Sequence, residues 1–354
     1  MAINILGYGF RDLRDQADSQ ITEQLIPVIN AAITDTLAFH NEEMDRVLSL
    51  FVKKTTDHAL RYKTPTDAKL QPLDEHGRAR KIRVGAQYDV GFPLQAAGLA
   101  EGATDTTRKL ETVQDVSDIT TTMTMADKNW MLDHVLATLF ADADWTFTDD
   151  RFGALVVKPL ANGDAVTYLG RNGSVAIADH NTGQAAAIAD LTNPFPGIYT
   201  RLTRPMGSNG RVFSFVASNL VASIQNLGTF FEPPDPNIRA AANSEELAAP
   251  LPPGLPGEVI GITNKVWIID WARLPDNYII SVIEGGERPV AMREYEVASL
   301  RGFRRAGERN DYPYFETQFK RDAGFGIWNR TAADVMEISD ASYDVPTGYE
   351  VPMP

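Results

Sequence analysis

The alternation at 82–94 constrains this chain more than any other stretch. Ile82, Val84, Ala86, Tyr88, Val90, Phe92 and Leu94 alternate with Arg83, Gly85, Gln87, Asp89, Gly91 and Pro93. A period of two sustained this long is the mark of a half-buried strand. A polar run over 61–73 precedes it, and the turn-like Asp74-Glu75-His76-Gly77 lies between. The pattern predicts a two-stranded arm over 61–94, each leg of about 13 residues spanning roughly 40 Å. Two strands alone are marginal in water, so the arm needs a surface to lie on. Lys63, Pro65, Lys69, Pro72, Arg78, Arg80 and Arg83 discourage random edge pairing, while Tyr88, Phe92 and Leu94 still require cover. A neighbouring copy is expected to give that cover. The candidate inter-subunit contacts are therefore Lys63, Lys69, Arg80, Arg83, Tyr88, Phe92 and Leu94.

The chain has 354 residues, 44% hydrophobic and 23% charged, enough for two or three lobes of an ordinary globular protein. It has no cysteine, which excludes disulfides, zinc–thiolate sites and thiol nucleophiles. Its net charge of −14 argues against sequence-specific DNA binding, which rests on Lys and Arg meeting phosphates. The same charge suits either simple solubility or a wall that encloses nucleic acid without adhering to it. Met1-Ala2-Ile3-Asn4-Ile5-Leu6 lacks a basic n-region, so no secretory signal is expected. No apolar run approaches the roughly 20 residues of a membrane span.

Periodicity divides the remainder. Residues 10–55 read as helical, with Ile21, Leu25, Val28, Ile29, Ala32, Ile33, Leu37, Met44, Val47, Leu48 and Phe51 on one stripe. Pro27 predicts a break or a second start near 25–28. That helix either covers its own core or docks as an arm on a neighbour. A polar stretch carrying Gly98 and Gly102 follows the hairpin, and then a helix is expected over 117–141 with Asp118 as its N-cap. Residues 145–200 read as a β-rich inserted lobe, punctuated by Asn162-Gly163, Asn172-Gly173 and Thr182-Gly183. A strand over 211–217, a short helix capped by Ser218 and stopped at Gly228, and strands at 258–262, 265–271 and 277–283 follow. The proline-bearing stretch 231–257 between them reads as a loop. A last long strand is expected from 312 to 319, with Gly324 and Gly326 bending or bulging the chain beyond it. The tail from Asp344 reads as irregular.

The order is N-terminal arm, long hairpin, long helix, β lobe, strand–helix–strand block and late strand. It resembles the major capsid proteins of tailed bacteriophages, the Hong Kong 97 type fold shared with herpesvirus shells and encapsulins. The resemblance rests on element order over roughly 56–340 and includes the closing Phe315-Glu316-Thr317-Gln318-Phe319-Lys320-Arg321-Asp322-Ala323-Gly324-Phe325-Gly326-Ile327-Trp328-Asn329-Arg330 and the finish Thr331-Ala332-Ala333-Asp334-Val335-Met336. It implies an α+β fold in five parts. These are an N-terminal arm (1–55), an extended loop (56–115), a peripheral domain with its spine helix and a β-rich insertion (116–210), an axial domain (211–300), and return strands with a tail (301–354). It further implies a subunit that self-assembles as hexamers and pentamers into an icosahedral head around double-stranded DNA. Portal and scaffolding or decoration proteins would be partners, assembly would take place in the host cytoplasm, and the product would be the virion shell. An encapsulin-like compartment enclosing cargo protein is the alternative.

No nucleophile elbow, phosphate loop, dinucleotide fingerprint or zinc helix motif occurs, so no catalytic residue, cofactor or metal is expected. His40, His58, His76, His134 and His180 are scattered, and His134 reads as a surface or packing residue of the long helix. Asp142, Asp144, Asp149 and Asp150 lack the glycine and spacing of a calcium loop. They are the sole support for a third reading, a hydrolase or carbohydrate-active protein. Some members of the resembling family link a lysine to an asparagine. Lys63 or Lys69 with Asn329 would be the candidates here, and plain polar surface residues are the preferred reading.

Overall fold

The computed structural model describes residues 20, 26–63, 70, 72–73, 75–78, 87–206, 208, 210–231, 238–239, 247–249 and 255–353. Helix α1 (Ile26–Leu48) begins with Pro27 in its first turn, where a missing N–H costs nothing. It buries Ile29, Ile33, Leu37, Met44 and Leu48 along one face. Expectations for 10–25 lie outside the described residues, apart from Gln20, which bridges Thr112. The helical reading fails after Leu48. Strand β1 (Val52–Thr55) instead pairs in parallel with 290–293, because a sheet edge there offers it a full ladder.

Strands β2 (Ala59–Lys63) and β3 (Gln87–Gly91) form the base of the expected hairpin, with Tyr62 opposite Tyr88. Most of the distal legs, 64–69 and 79–86, lies outside the described residues. The polar stretch after the hairpin is in fact a ten-residue strand, β4 (Gln95–Thr104). Its Ala- and Gly-rich sequence has little strand propensity, and pairing with a long partner overrides that. After α2 (Asp105–Leu110), the long helix α3 (Val113–Phe140) spans about 42 Å at 1.5 Å per residue. It starts earlier than expected, because Thr112 and Asp115 form a reciprocal capping box. Asp118 therefore lies inside the helix and accepts a hydrogen bond from Gln114 at 2.7 Å. The threonines do not break it, since Thr120, Thr122 and Thr138 donate to carbonyls one turn earlier.

The 145–200 stretch holds two hairpins, β5 (Trp145–Asp149) with β6 (Gly153–Val157) and β7 (Asn162–Leu169) with β8 (Val175–Asp179). It is not wholly β, nor a separate lobe. Strand β9 (Asn181–Gln184) joins a large sheet, and α4 (Phe195–Thr203) buries Phe195, Ile198 and Leu202 against it. Next come β10 (Val212–Val216), a 3-10 turn and α5 (Val221–Gln225). Ser218 does not cap a helix; its hydroxyl bonds Asp270 at 2.6 Å. Beyond β11 (Phe230–Phe231), the stretch read as loop contains a small ribbon of β12 (Ile238–Arg239) and β13 (Leu247–Ala249).

Strands β14 (Glu258–Thr263), β15 (Val266–Asp270) and β16 (Tyr278–Ile283) fall where expected. They are followed by β17 (Val290–Arg293), β18 (Arg304–Asp311), β19 (Tyr314–Ile327) and β20 (Ala333–Ile338). The seven-stranded sheet runs β11-β14-β15-β10-β16-β20-β9. Alternate residues of its strands feed two cores. Phe213, Phe215, Trp267, Ile269, Ile280 and Val335 pack with Met131, Leu136 and Phe140 of α3. Val212, Val216, Ile268 and Ile279 pack with α4 and α5. Cover on both faces explains why β10, β15 and β16 read as continuous apolar runs.

A second sheet runs β1-β17-β19-β18, with β4 also pairing along β19. Strand β19 is fourteen residues long and continues through Gly324 and Gly326 without a bulge. These two lie opposite Arg293 and Ala291 of β17. These glycines admit the backbone of residues 91–94, which crosses directly over them. The tail from Asp344 is irregular as expected, but it is docked: Tyr278 donates to the Asp344 carbonyl and Tyr343 to the Phe140 carbonyl.

Candidate inter-subunit surface

The root of the hairpin is an aromatic cluster within one chain. Tyr88 is 6% and Phe92 0% exposed, and with Val90 they pack on Ala291 and Trp328. Tyr62 stacks on Tyr88 at 5.3 Å, and Phe92 stacks on Trp328 at 5.7 Å. The expectation that a sister copy shelters Tyr88 and Phe92 is thereby corrected. Alternation reports that a face is buried, not what buries it. Leu94 is half-buried at the mouth of a cleft, and Lys63 is exposed on β2 opposite Gln87. Lys69, Arg80 and Arg83 lie outside the described residues.

Buried arginines hold the elements around this root. The wholly buried Arg330 donates to the carbonyls of Pro159 and Leu160 and to Asn162 and Asp164, at 2.6–3.1 Å. Its guanidinium also stands 5.4 Å from the centre of the Tyr88 ring. Arg293 donates to the Phe92 carbonyl and to Asp149, both at 2.9 Å. Burial pushes the Asp149 carboxyl up, but the N–H groups of Arg151 and Phe152 and the Arg293 guanidinium hold it below the usual carboxylate range. Arg321 of β19 grips Asp127 of α3, which also meets His40 of α1 at 2.7 Å. Burial of Asp127 is likewise overcome by His40 and Arg321, and its carboxyl stays low. These side chains are far apart in sequence, so no local pattern announced them.

A cleft of about 470 Å³ opens beside the root, where 56–58, 147–152 and 293–297 meet. His58 stacks on Phe152 with ring centres 3.7 Å apart, and the Arg293 guanidinium lies 5.5 Å from the same ring. Phe152, Tyr295 and Val297 expose apolar surface at its rim. Asp57, Asp149, Asp150, Glu294 and Glu296 line it, against Arg151 and Arg293. Sequence reasoning missed this surface. The one available signal was the alternation of acid and bulky residue in Glu294-Tyr295-Glu296-Val297.

Several of the other singled-out residues have structural partners. Asp144 pairs with Lys158, and Asp149 with Arg293. The Asn329 side-chain oxygen accepts from the Thr331 N–H and hydroxyl, both at 3.1 Å, and among the described residues no contact joins it to Lys63. His134 is buried, its Nδ1 2.8 Å from the Trp130 carbonyl. Among the described residues no group of three or more His, Asp or Glu is placed to hold a metal ion. No helix among them is long and apolar enough to cross a membrane.

The arrangement of long helix, two sheets and rooted hairpin is a phage-capsid fold of mixed helix and sheet. A chain from Mycobacterium phage Patience superposes with a TM-score of 0.68 at 20% identity, over 94% of both chains. A chain of the capsid of Cyanophage P-SCSP1u superposes with a TM-score of 0.50 at 9% identity, over 81% of this chain and 86% of that one. No family model matches the sequence, and no curated protein matches it.

Proposed function

We propose that this chain is the major shell subunit of a phage head, self-assembling as hexamers and pentamers around double-stranded DNA. The observation that carries the reading is the end-to-end superposition on the chain from Mycobacterium phage Patience, which covers 94% of each. In this reading 1–55 is the N-terminal arm and 56–115 the extended loop. Residues 116–210 and 301–354 form the peripheral part and 211–300 the axial part. The contacts between subunits are non-covalent, portal and scaffolding or decoration proteins are further partners, and assembly takes place in the host cytoplasm before the shell becomes part of the virion. The role is structural rather than enzymatic. A net charge of −14 keeps a DNA-filled wall from adhering to its contents. The two structures compared above come from phages, which favours a head over a cargo compartment.

Electron microscopy and sedimentation of the full chain, expressed with and without its companion head proteins, test the reading. Closed shells built of fivefold and sixfold rings are the expected product, with dense DNA inside after packaging. A chain that remains monomeric under every condition overturns it, and shells that hold protein cargo without DNA replace it with the compartment.

A further inference from the structure

Asn162-Gly163 and Asn172-Gly173 are the same dipeptide, and the fold treats them differently. In each, glycine has no side chain to shield its nitrogen from the amide carbon of the preceding asparagine. Asn162 is held at both ends of its side-chain amide. Its Nδ2 donates to the Asp142 carbonyl at 2.7 Å, and its Oδ1 accepts from the wholly buried Arg330 at 3.1 Å. A third such pair, Asn209-Gly210, begins outside the described residues.

Asn172 is exposed at the end of the β7–β8 hairpin. Among the described residues no acceptor takes its Nδ2, while its Oδ1 accepts twice from Ser174, from the hydroxyl at 2.6 Å and from the N–H at 3.1 Å. These donors draw electron density from the amide carbon and are already placed where an oxyanion would form. The Gly173 N–H donates to the Gly170 carbonyl at 2.9 Å, with Gly173 at φ 76°. That bond has to open before the nitrogen can react. It closes the end of a sheet of only two strands, and such an end opens at little cost.

We propose that Asn172 is a site of spontaneous deamidation and that the fold spares Asn162. The Gly173 nitrogen loses its proton to solvent base and attacks Asn172 Cγ. The new N–C bond closes a succinimide ring, and the Cγ–Nδ2 bond breaks with release of ammonia. Water then opens the ring. Cleavage at one carbonyl leaves aspartate, and cleavage at the other leaves isoaspartate, whose main chain runs through the former side chain. No oxidant or reductant takes part. The product carries a new negative charge next to Arg171. Isoaspartate also lengthens the turn that the Gly170 and Ser174 backbones close. Both changes accumulate with time and mark old copies of this chain apart from new ones. The inference does not rest on the shell reading.

Ageing of the soluble full chain in mildly alkaline buffer tests it, with samples digested in acid and analysed by mass spectrometry. Aspartate and isoaspartate together should accumulate at position 172 about tenfold faster than at position 162, the ratio set by the two bonds that hold Asn162. In urea sufficient to unfold the chain the two rates should converge, because Asp142 and Arg330 no longer hold the Asn162 amide. Ser174→Ala removes one donor to Asn172 and should slow the reaction there about threefold or more, with position 162 unchanged. Equal rates at the two sites of the folded chain, faster loss at position 162, or a ratio that persists in urea overturns the inference. A rate at position 172 unaltered by Ser174→Ala overturns the part assigned to that hydroxyl.

Discussion

A Cβ placed on Gly324 would lie 1.4 Å from the carbonyl oxygen of Pro93. The hairpin's exit strand and β19 cross at van der Waals contact of their backbones, and this crossing joins the root of the arm to the body. Gly324→Ala must push the two strands apart. Overpacking of this kind costs about 1–3 kcal/mol and more where backbone cannot yield. Urea unfolding of the variant should show at least that loss. Gly307→Ala on β18, where a Cβ meets nothing within 4 Å, should leave the midpoint unchanged.

Arg330 is the largest fully buried side chain, with four protein acceptors around it. Truncation to Ala leaves Asp164 and two carbonyls without their donor and opens a cavity beneath Tyr88. A loss of about 3–5 kcal/mol is expected from chemical denaturation. Arg330→Lys should recover little of it, since an ammonium cannot reach four acceptors arranged around a planar fork. Full rescue by lysine would show that the site needs only a positive charge.

Asp127 joins α1, α3 and β19 through His40 and Arg321, and its carboxyl is held below the usual 3.8. A carboxylate with a depressed folded-state value contributes stability above its unfolded value and loses it as pH falls through the folded one. Asp127→Asn should therefore be markedly less stable than the parent at neutral pH. The gap should narrow as the pH drops below about 3.8. Unfolding midpoints of both proteins between pH 7 and pH 3 read this directly; a gap independent of pH would remove the carboxylate's charge from the explanation.

His134 is packed between Trp130 and Phe325, and burial lowers it from 6.5 despite the Trp130 carbonyl and Asp133. Here the unfolded chain binds the proton more readily. Stability is complete above 6.5 and declines as the solution is acidified past that value. His134→Gln removes the titration, so its melting temperature should fall less than the parent's between pH 7 and pH 5. Equal slopes for the two proteins would locate the acid sensitivity in another group.

Periodicity was read correctly wherever a residue's environment follows from its own neighbours in the chain. Strands β10, β15 and β16 are apolar on both faces because both faces are covered, and that pattern is local. The apolar stripe of α1 and the antiparallel pairing of β2 with β3 were legible for the same reason. Strands β4 and β18 were not legible. Ala96, Ala97, Gly98 and Ala100 have no strand character of their own, and β18 is mostly charged. Their conformation comes from ladders with β19, more than 200 residues away for β4.

Sequence by itself determined the element order, the hairpin root and the resemblance to a capsid fold, because hydrophobic period and turn chemistry act over a few residues. Only the tertiary structure decided what covers Tyr88 and Phe92, where Arg330 and Arg321 are satisfied, and that Glu294 lies in an acidic cleft. Those relationships depend on which distant strands lie side by side. Packing and desolvation act through space, and a one-dimensional pattern records that a side chain needs a partner without recording which one.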